Sequence, residues 1–308
     1  MLRAGLLYLS GQKQVFRFIR ANGIARKLAS RFVAGETLDA AVAAVRDLNA
    51  RNITATLDLL GESVTKPEEA RAAALTIVEM FDRLAAERLQ CNVSIKLTQV
   101  GLDLDAALCL ENVRRILDRA RELGTFLRID MESCAHTQRT LDLFERDLHP
   151  VYGDGVGVVI QSYLFRSAAD VERLNGRRAR VRLCKGAYQE PPSVAFPAKR
   201  DVDRSYAQLM EQLLEHGNYP ALATHDAALI ERARRFVLAR AIAPASFEFQ
   251  MLYGVRRDLQ DELVKAGFNV RVYVPFGTQW YPYLMRRLAE RPANIAFILG
   301  NVVREGMR

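Results

Sequence analysis

From about residue 53 onward the chain repeats one pattern eight times: a short run of β-branched and aliphatic residues, then a longer stretch rich in Ala, Leu, Glu and Arg. This alternation constrains the fold more than any other feature, because strands that alternate with helices build parallel sheets whose crossovers cover the faces. Candidate strands fall at 53–60, 92–97, 126–131, 157–161, 180–185, 221–225, 247–251 and 270–274. Candidate helices fall at 68–89, 105–123, 137–147, 168–174, 202–216, 227–239, 256–265 and 281–291. Each carries an apolar stripe of period 3.6, as in Leu229, Ala233, Phe236 and Val237. The repeat fills residues 53–299, close to the ~250 residues typical of a (β/α)8 barrel. The expected fold class is therefore α/β, a (β/α)8 TIM-type barrel over 51–308 with extra N-terminal helices in a helical segment over 1–50. The competing open, doubly wound sheet normally carries GxGxxG after its first strand. Gly153-Asp154-Gly155-Val156-Gly157 has the wrong spacing and runs into a strand, and no P-loop occurs.

Composition narrows the function classes without choosing one. With 308 residues, 50% of them hydrophobic and 26% charged, the chain has the make-up of an ordinary soluble protein with a large core. The net charge of +8 suits an anionic partner, whether acidic substrate, nucleic acid or membrane surface. Beyond the first 35 residues the basic side chains are interspersed with acids, which argues against a nucleic-acid-binding face. The absence of any apolar run of about 18 residues argues against a spanning helix. Cys91, Cys109, Cys134 and Cys184 lie far apart with no CxxC, a usage expected of reduced thiols in a cytoplasmic protein without a zinc site. Arg3, Lys13, Arg17, Arg20, Arg26, Lys27 and Arg31 all precede the first acid, Glu36. Ile24, Leu28 and Phe32 continue at helical spacing toward the next helix, so this segment reads as a basic helix of the fold rather than a leader. A peripheral position on the inner face of the membrane is the second expectation for it.

Near the C-terminus, Tyr283, Arg286, Arg287 and Glu290 stand at i, i+3, i+4 and i+7, the face of a helix that would normally be apolar. Paired guanidiniums present forks matched to a carboxylate or phosphate, and the tyrosine can cover an apolar body. The implied ligand is a small molecule with an anionic head. In a barrel, catalytic groups sit at the C-terminal strand ends. Taken in order, those ends carry Glu62, Lys96, Asp130 with Glu132, Gln161, Arg182 with Lys185, Thr224 with His225, Gln250, and Tyr273. Gly186 allows close approach of backbone to a ligand, and a helix starting after His225, capped by Thr224 or Asp226, suits a phosphate cradle, while His225 itself reads equally as a satisfied core histidine.

Together Ser94-Ile95-Lys96-Leu97, Ile129-Asp130, Val159-Ile160-Gln161, Arg182-Leu183-x-Lys185-Gly186-Ala187-Tyr188, Ala223-Thr224-His225, Phe247-Glu248-Phe249-Gln250-x-Leu252, Tyr273-x-Pro275-x-Gly277 and the Tyr283 stripe resemble proline dehydrogenase, in family order from Glu62 to near the C-terminus. The resemblance implies a distorted (β/α)8 barrel that holds FAD non-covalently. It further implies oxidation of L-proline to Δ1-pyrroline-5-carboxylate, with hydride passing to flavin N5 and electrons to a membrane quinone. Lys96, Arg286 and Arg287 would then hold the proline carboxylate, Tyr273, Tyr283 and Leu252 would wall the ring, and Glu62 would pair with Arg286 as a gate. Asp130 and Arg182 would be the catalytic pair, Arg182 near N5. Met131 and Gln161 would line the isoalloxazine, while Lys185, Gly186, Ala187, Thr224 and His225 would bind the ribityl and phosphate portion. Cys184 departs from the family pattern, where Val is common, and reads as apolar filler. No aldehyde dehydrogenase module follows residue 308, so the product is expected to pass to a separate pyrroline-5-carboxylate dehydrogenase. Set against this reading, the barrel alone also suits a Schiff-base lyase or aldolase using Lys96 or Lys185 as nucleophile, and the charge alone suits a basic RNA- or membrane-binding module.

Overall fold

The computed structural model describes residues 30–290, within which eight parallel strands close into a barrel in sequential order. They are β1 (Thr54–Leu59), β2 (Cys91–Ile95), β3 (Leu127–Ile129), β4 (Val156–Gln161), β5 (Arg180–Cys184), β6 (Ala221–Ala223), β7 (Glu248–Leu252) and β8 (Asn269–Phe276). Closure comes from β8 pairing back onto β1, from Thr54 opposite Arg271 to Leu59 opposite Phe276. Every expected strand is present. Where the expected ranges overrun, at 96–97, 130–131, 185 and 224–225, the chain has left the ladder, and the polar residues there belong to the mouth of the barrel.

The helices are α1 (Leu38–Asn49), α2 (Pro67–Ala86), α3 (Ala106–Glu122), α4 (Cys134–Leu143), α5 (Ser167–Gly176), α6 (Lys199–His216), α7 (Ala227–Ala239), α8 (Arg257–Lys265) and α9 (Trp280–Glu290). Their starts follow local chemistry. Thr37 caps α1 by accepting from the Ala40 amide, Asp105 caps α3 by accepting from Leu108 at 2.7 Å, and α2 begins on Pro67 with Glu68 and Glu69 in its first turn. The helix expected at 137–147 starts earlier and passes from α4 into a π-helical turn at Phe144–Leu148. Ala41, Val45 and Leu48 of α1 share the core of the barrel wall. Of the expected N-terminal helical segment, residues 1–29 lie outside the described residues.

Strand alternation gives the barrel two unlike faces. Leu57, Val93, Ile95, Ile129, Val158, Leu183, Phe249, Val272 and Val274 pack outward in one apolar core with the helices. The alternate residues point inward and are largely polar, unlike the branched aliphatic filling common in such barrels. In the lower layer Arg271 donates to Glu248 at 2.9 Å, to Asn92 Oδ1 at 3.0 Å and to the Ala55 carbonyl at 2.7 Å, and Thr56 donates to the same Asn92 oxygen at 2.5 Å. Arg128 donates to the carbonyls of Val158 and Arg180 at 3.1 and 2.7 Å, and it shares the Phe126 ring with Arg180. Burial works to raise the Glu248 pKa, but the Arg271 guanidinium outweighs it and holds the carboxyl below its ordinary value. Gln250, expected at the mouth, belongs to this lower layer, where its amide bonds Glu248. Its side chain sits two residues above Glu248 on the same inward face, and the carboxylate draws it down.

This packing leaves no room at Gly157 of β4, where an added Cβ would meet the Arg180 carbonyl oxygen at 2.5 Å, Arg128 Nη1 at 2.6 Å and Phe126 Cζ at 2.8 Å. Gly157→Ala should cost about 1–3 kcal/mol, read from the urea midpoint. Gly176→Ala, at the end of α5 with nothing within 4 Å, should leave stability unchanged or slightly raised. Equal midpoints for both variants would refute the tight packing of the lower layer.

Candidate active site

At the mouth, one carboxylate gathers three strands. Asp130, just past β3, is anchored by its amide to the Ile95 carbonyl at 2.8 Å. Its Oδ1 accepts from Arg182 Nη1 of β5 at 2.6 Å and its Oδ2 from the Tyr273 hydroxyl of β8 at 2.7 Å. Arg182 Nη2 donates to Ser94 Oγ at 3.2 Å, and the guanidinium lies 5.3 Å from the centre of the Tyr273 ring. Arg182 Nε is buried and lacks a hydrogen-bond partner among the described residues. Burial, then the negative charges of Asp130 and Asp58, push the Tyr273 pKa well above its ordinary value. Its phenol therefore stays protonated and serves as a donor.

Beside this group stands a second buried pair. Lys96, the first residue beyond β2, places Nζ 3.2 Å from Asp58 Oδ1 and 3.3 Å from Oδ2. Burial opposes the ammonium, yet Asp58, Glu62, Asp130 and Tyr188 more than offset it, and the lysine pKa rises. Lys96 is thus a fixed positive charge, whereas a Schiff-base nucleophile needs a depressed pKa. In Asp58 burial prevails instead: it pushes the carboxyl up to about 6, against the pull of Lys96. Glu62, half-buried beyond β1, faces the same ammonium.

A third group extends from β3 and β4 to β5 and β6. Gln161 Nε2 donates to the Glu132 carbonyl at 2.8 Å, and the Glu132 carboxylate accepts from the Thr98 hydroxyl at 2.6 Å, which fixes the segment carrying buried Met131. Lys185 projects from the opposite face of β5 to Arg182 and lies between Asp203 of α6, at 2.6 Å, and Asp226, at 2.9 Å. Burial works to raise both carboxyls, but the bonds from Lys185 outweigh it and both pKa values fall. At the start of α7, Thr224 Oγ1 accepts from the Asp226 amide and Asp226 Oδ1 from the Ala228 amide, each at 3.1 Å. The expected phosphate cradle therefore carries a carboxylate of its own. His225 Nε2 accepts from the Leu252 amide at 2.9 Å, which puts the ring proton on Nδ1 and ties the ends of β6 and β7 together. Gly186, with φ +114°, presses against Tyr163, whose ring a Cβ would meet at 2.5 Å. Half-buried Ala187 follows it. The Tyr163 hydroxyl and the Cys134 amide both donate to Glu190 Oε1, at 3.1 and 2.8 Å.

The structure thus brings Lys96, Asp130, Arg182 and Tyr273 into one cluster, and Lys185, Thr224, His225 and Leu252 into another. Tyr283 of α9 is buried with Phe32, Leu60, Trp280, Leu284 and Met285, and Trp280 Nε1 donates to Glu36 at 2.9 Å. The side chains of Arg286, Arg287 and Glu290 lie outside the described residues. Sequence reasoning passed over Asp58, although Thr54, Thr56 and Asp58 alternate inward along β1 as a visible polar period of two. It also passed over Asp203 and Glu190, which reach the site from α6 and from the loop beyond β5, where no short spacing signals them.

Buried, paired charges at the C-terminal ends of the strands of a parallel α/β barrel stand where enzymes of this fold carry their active sites. The family described as Proline dehydrogenase matches residues 41–299. The chain is 41% identical over 305 residues to Proline dehydrogenase 1 of Bacillus subtilis (strain 168), covering 99% of this chain and 100% of that protein. It is 44% identical to the Proline dehydrogenase of Deinococcus radiodurans over 280 residues, 90% of each chain. Among solved structures, proline utilization A from Bdellovibrio bacteriovorus inactivated by N-propargylglycine superposes with a TM-score of 0.82 at 26% identity, covering 90% of this chain and 34% of that longer one. The chain belongs to the proline dehydrogenase family, and its activity is that of an oxidoreductase of proline catabolism.

The Asp130 arrangement makes Tyr273→Phe informative. Losing the phenol leaves a half-buried carboxylate oxygen without its donor, so stability should fall by about 1 kcal/mol, read from chemical denaturation. An unchanged midpoint would contradict the 2.7 Å bond.

Proposed function

We propose that this chain holds FAD non-covalently and oxidises L-proline to Δ1-pyrroline-5-carboxylate, with a membrane quinone taking the electrons and pyrroline-5-carboxylate dehydrogenase taking the product. The observation that carries this reading is the buried, permanently charged Lys96 beside the Asp130–Arg182–Tyr273 cluster. An ammonium held out of water suits the proline carboxylate, and Arg286 and Arg287, on the helix that carries Tyr283, supply fork-shaped donors for the same group. Tyr273, Tyr283 and Leu252 wall the ring, and Glu62 pairs with Arg286 across the entrance.

The residues present fit a flavin. The unsatisfied, buried Arg182 Nε is a donor awaiting an acceptor, and Gln161 and Met131 form an adjoining wall of mixed polarity. Lys185, Gly186, Ala187, Thr224 and His225 hold the ribityl and phosphate portion. When bound, the flavin supplies a hydride acceptor for the ring carbon next to nitrogen. The protein's share is orientation and electrostatics. Lys96 fixes the carboxylate end of the substrate, Asp130 keeps Arg182 and Tyr273 in place, and the aromatic walls exclude water. The protonated Tyr273 and the charged Lys96 act as donors, and the reaction calls for no covalent bond to the chain.

Purified protein should be yellow, and its visible flavin band should bleach on addition of L-proline without oxygen. Arg286→Lys and Arg287→Lys should each raise the apparent KM for proline about tenfold or more, about 1.4 kcal/mol, at unchanged flavin content. A colourless protein, or a flavin band indifferent to proline, would overturn the reading.

A further inference from the structure

Asp58 has no role in the reaction as described, yet it is the residue to which Lys96 is bound. Both carboxylate oxygens reach Nζ, at 3.2 and 3.3 Å, and the two side chains are 1% and 9% exposed. A lysine ammonium on its four-carbon stem has three donors and little intrinsic direction. Two acceptors on one side fix where Nζ stands and leave a donor for something else. The other groups facing Lys96 are Glu62 from beyond β1, Asp130 and Glu132 from beyond β3, and Tyr188 from beyond β5. Those facing Asp58, besides Lys96, are Asp130 and Tyr273. Asp58 holds the ammonium through both of its carboxylate oxygens.

We propose that Asp58 is a positioning residue for substrate: it aims the Lys96 ammonium across the barrel mouth and keeps it charged, so that its remaining N–H meets the proline carboxylate. This rests on the reading of Lys96 given under the proposed function. The charge and the aim have separable consequences. Burial disfavours the ammonium, and Asp58 is the largest single influence opposing it. Once that carboxylate is neutralised, Lys96 loses its proton at a lower pH, and proline binding weakens as the solution becomes alkaline. A charge pair that serves only to fill the barrel produces no such dependence.

The test is a double-mutant cycle on the flavin-loaded protein: wild type, Asp58→Asn, Lys96→Met and the double variant. Each is assayed for the KM and kcat of L-proline from neutral to alkaline pH, and for the Kd of cyclopentanecarboxylate, an unreactive five-membered-ring carboxylate, from its perturbation of the flavin spectrum. Asp58→Asn should raise the proline KM and the carboxylate Kd about tenfold at neutral pH, with kcat changed less than about threefold, and the deficit should widen as pH rises. In the Lys96→Met background the same change should alter Kd by less than about twofold. Asp58→Glu, which keeps the charge and shifts it by a methylene, should raise KM without the alkaline dependence, and it carries the test if Asp58→Asn does not fold. Wild-type affinity in Asp58→Asn, or an equal loss with and without Lys96, would overturn the role of Asp58 alone. A wild-type protein that neither holds flavin nor oxidises proline would overturn the proposed function and this inference together.

Discussion

Everything at the mouth of the barrel depends on charges that are out of water and must satisfy one another. Moving an ion into a protein interior costs several kcal/mol unless partners with good geometry offset it, and here the partners come from different strands. Asp130 binds Arg182 and Tyr273, Asp58 binds Lys96, and Glu248 binds Arg271. Each bond therefore also fixes one strand against another. Register, barrel closure and site geometry share a single set of contacts.

The two interior layers divide the work. Below, Arg128, Arg180, Arg271, Glu248, Gln250, Asn92 and Thr56 close on one another and on backbone carbonyls, and Gly157 yields space to them. That layer is a polar plug. Above it, Lys96 keeps a positive charge against its burial, and Arg182 Nε, like Nε of Arg128 and Arg180 below, has no hydrogen-bond partner among the described residues. The charged groups of the upper layer stand at the C-terminal ends of the strands, where barrel enzymes work.

The strands and helices were legible because the barrel wall is apolar on its outer face and each helix carries a single apolar stripe. Legibility of the site was uneven, for physical reasons. Lys96 and Asp130 stand just beyond strand ends, where a polar residue after an apolar run is conspicuous, while Arg182 and Tyr273 lie inside β5 and β8 on the inward face. Gln250 has the same signature but is drawn to Glu248 in the layer beneath, a preference set by a neighbour two residues away on the inward face. Asp58 lies between Leu57 and Leu59 within the apolar run of β1, and it becomes conspicuous only once the inward face is known. Lys185, which the family resemblance puts at the ribityl and phosphate portion, is also bonded to Asp203 and Asp226, brought in by α6 and α7. Pairings across the barrel arise from closure and leave no short-range spacing to read.

The most direct measurement of the account is a crystal structure of the flavin-loaded protein with cyclopentanecarboxylate. The carboxylate should lie within about 3 Å of Lys96 Nζ, the ring against Tyr273, and Arg182 Nε should face the flavin, with Asp58 still holding the lysine from behind. A carboxylate bound away from Lys96, or a flavin seated without contact to Arg182, would contradict it.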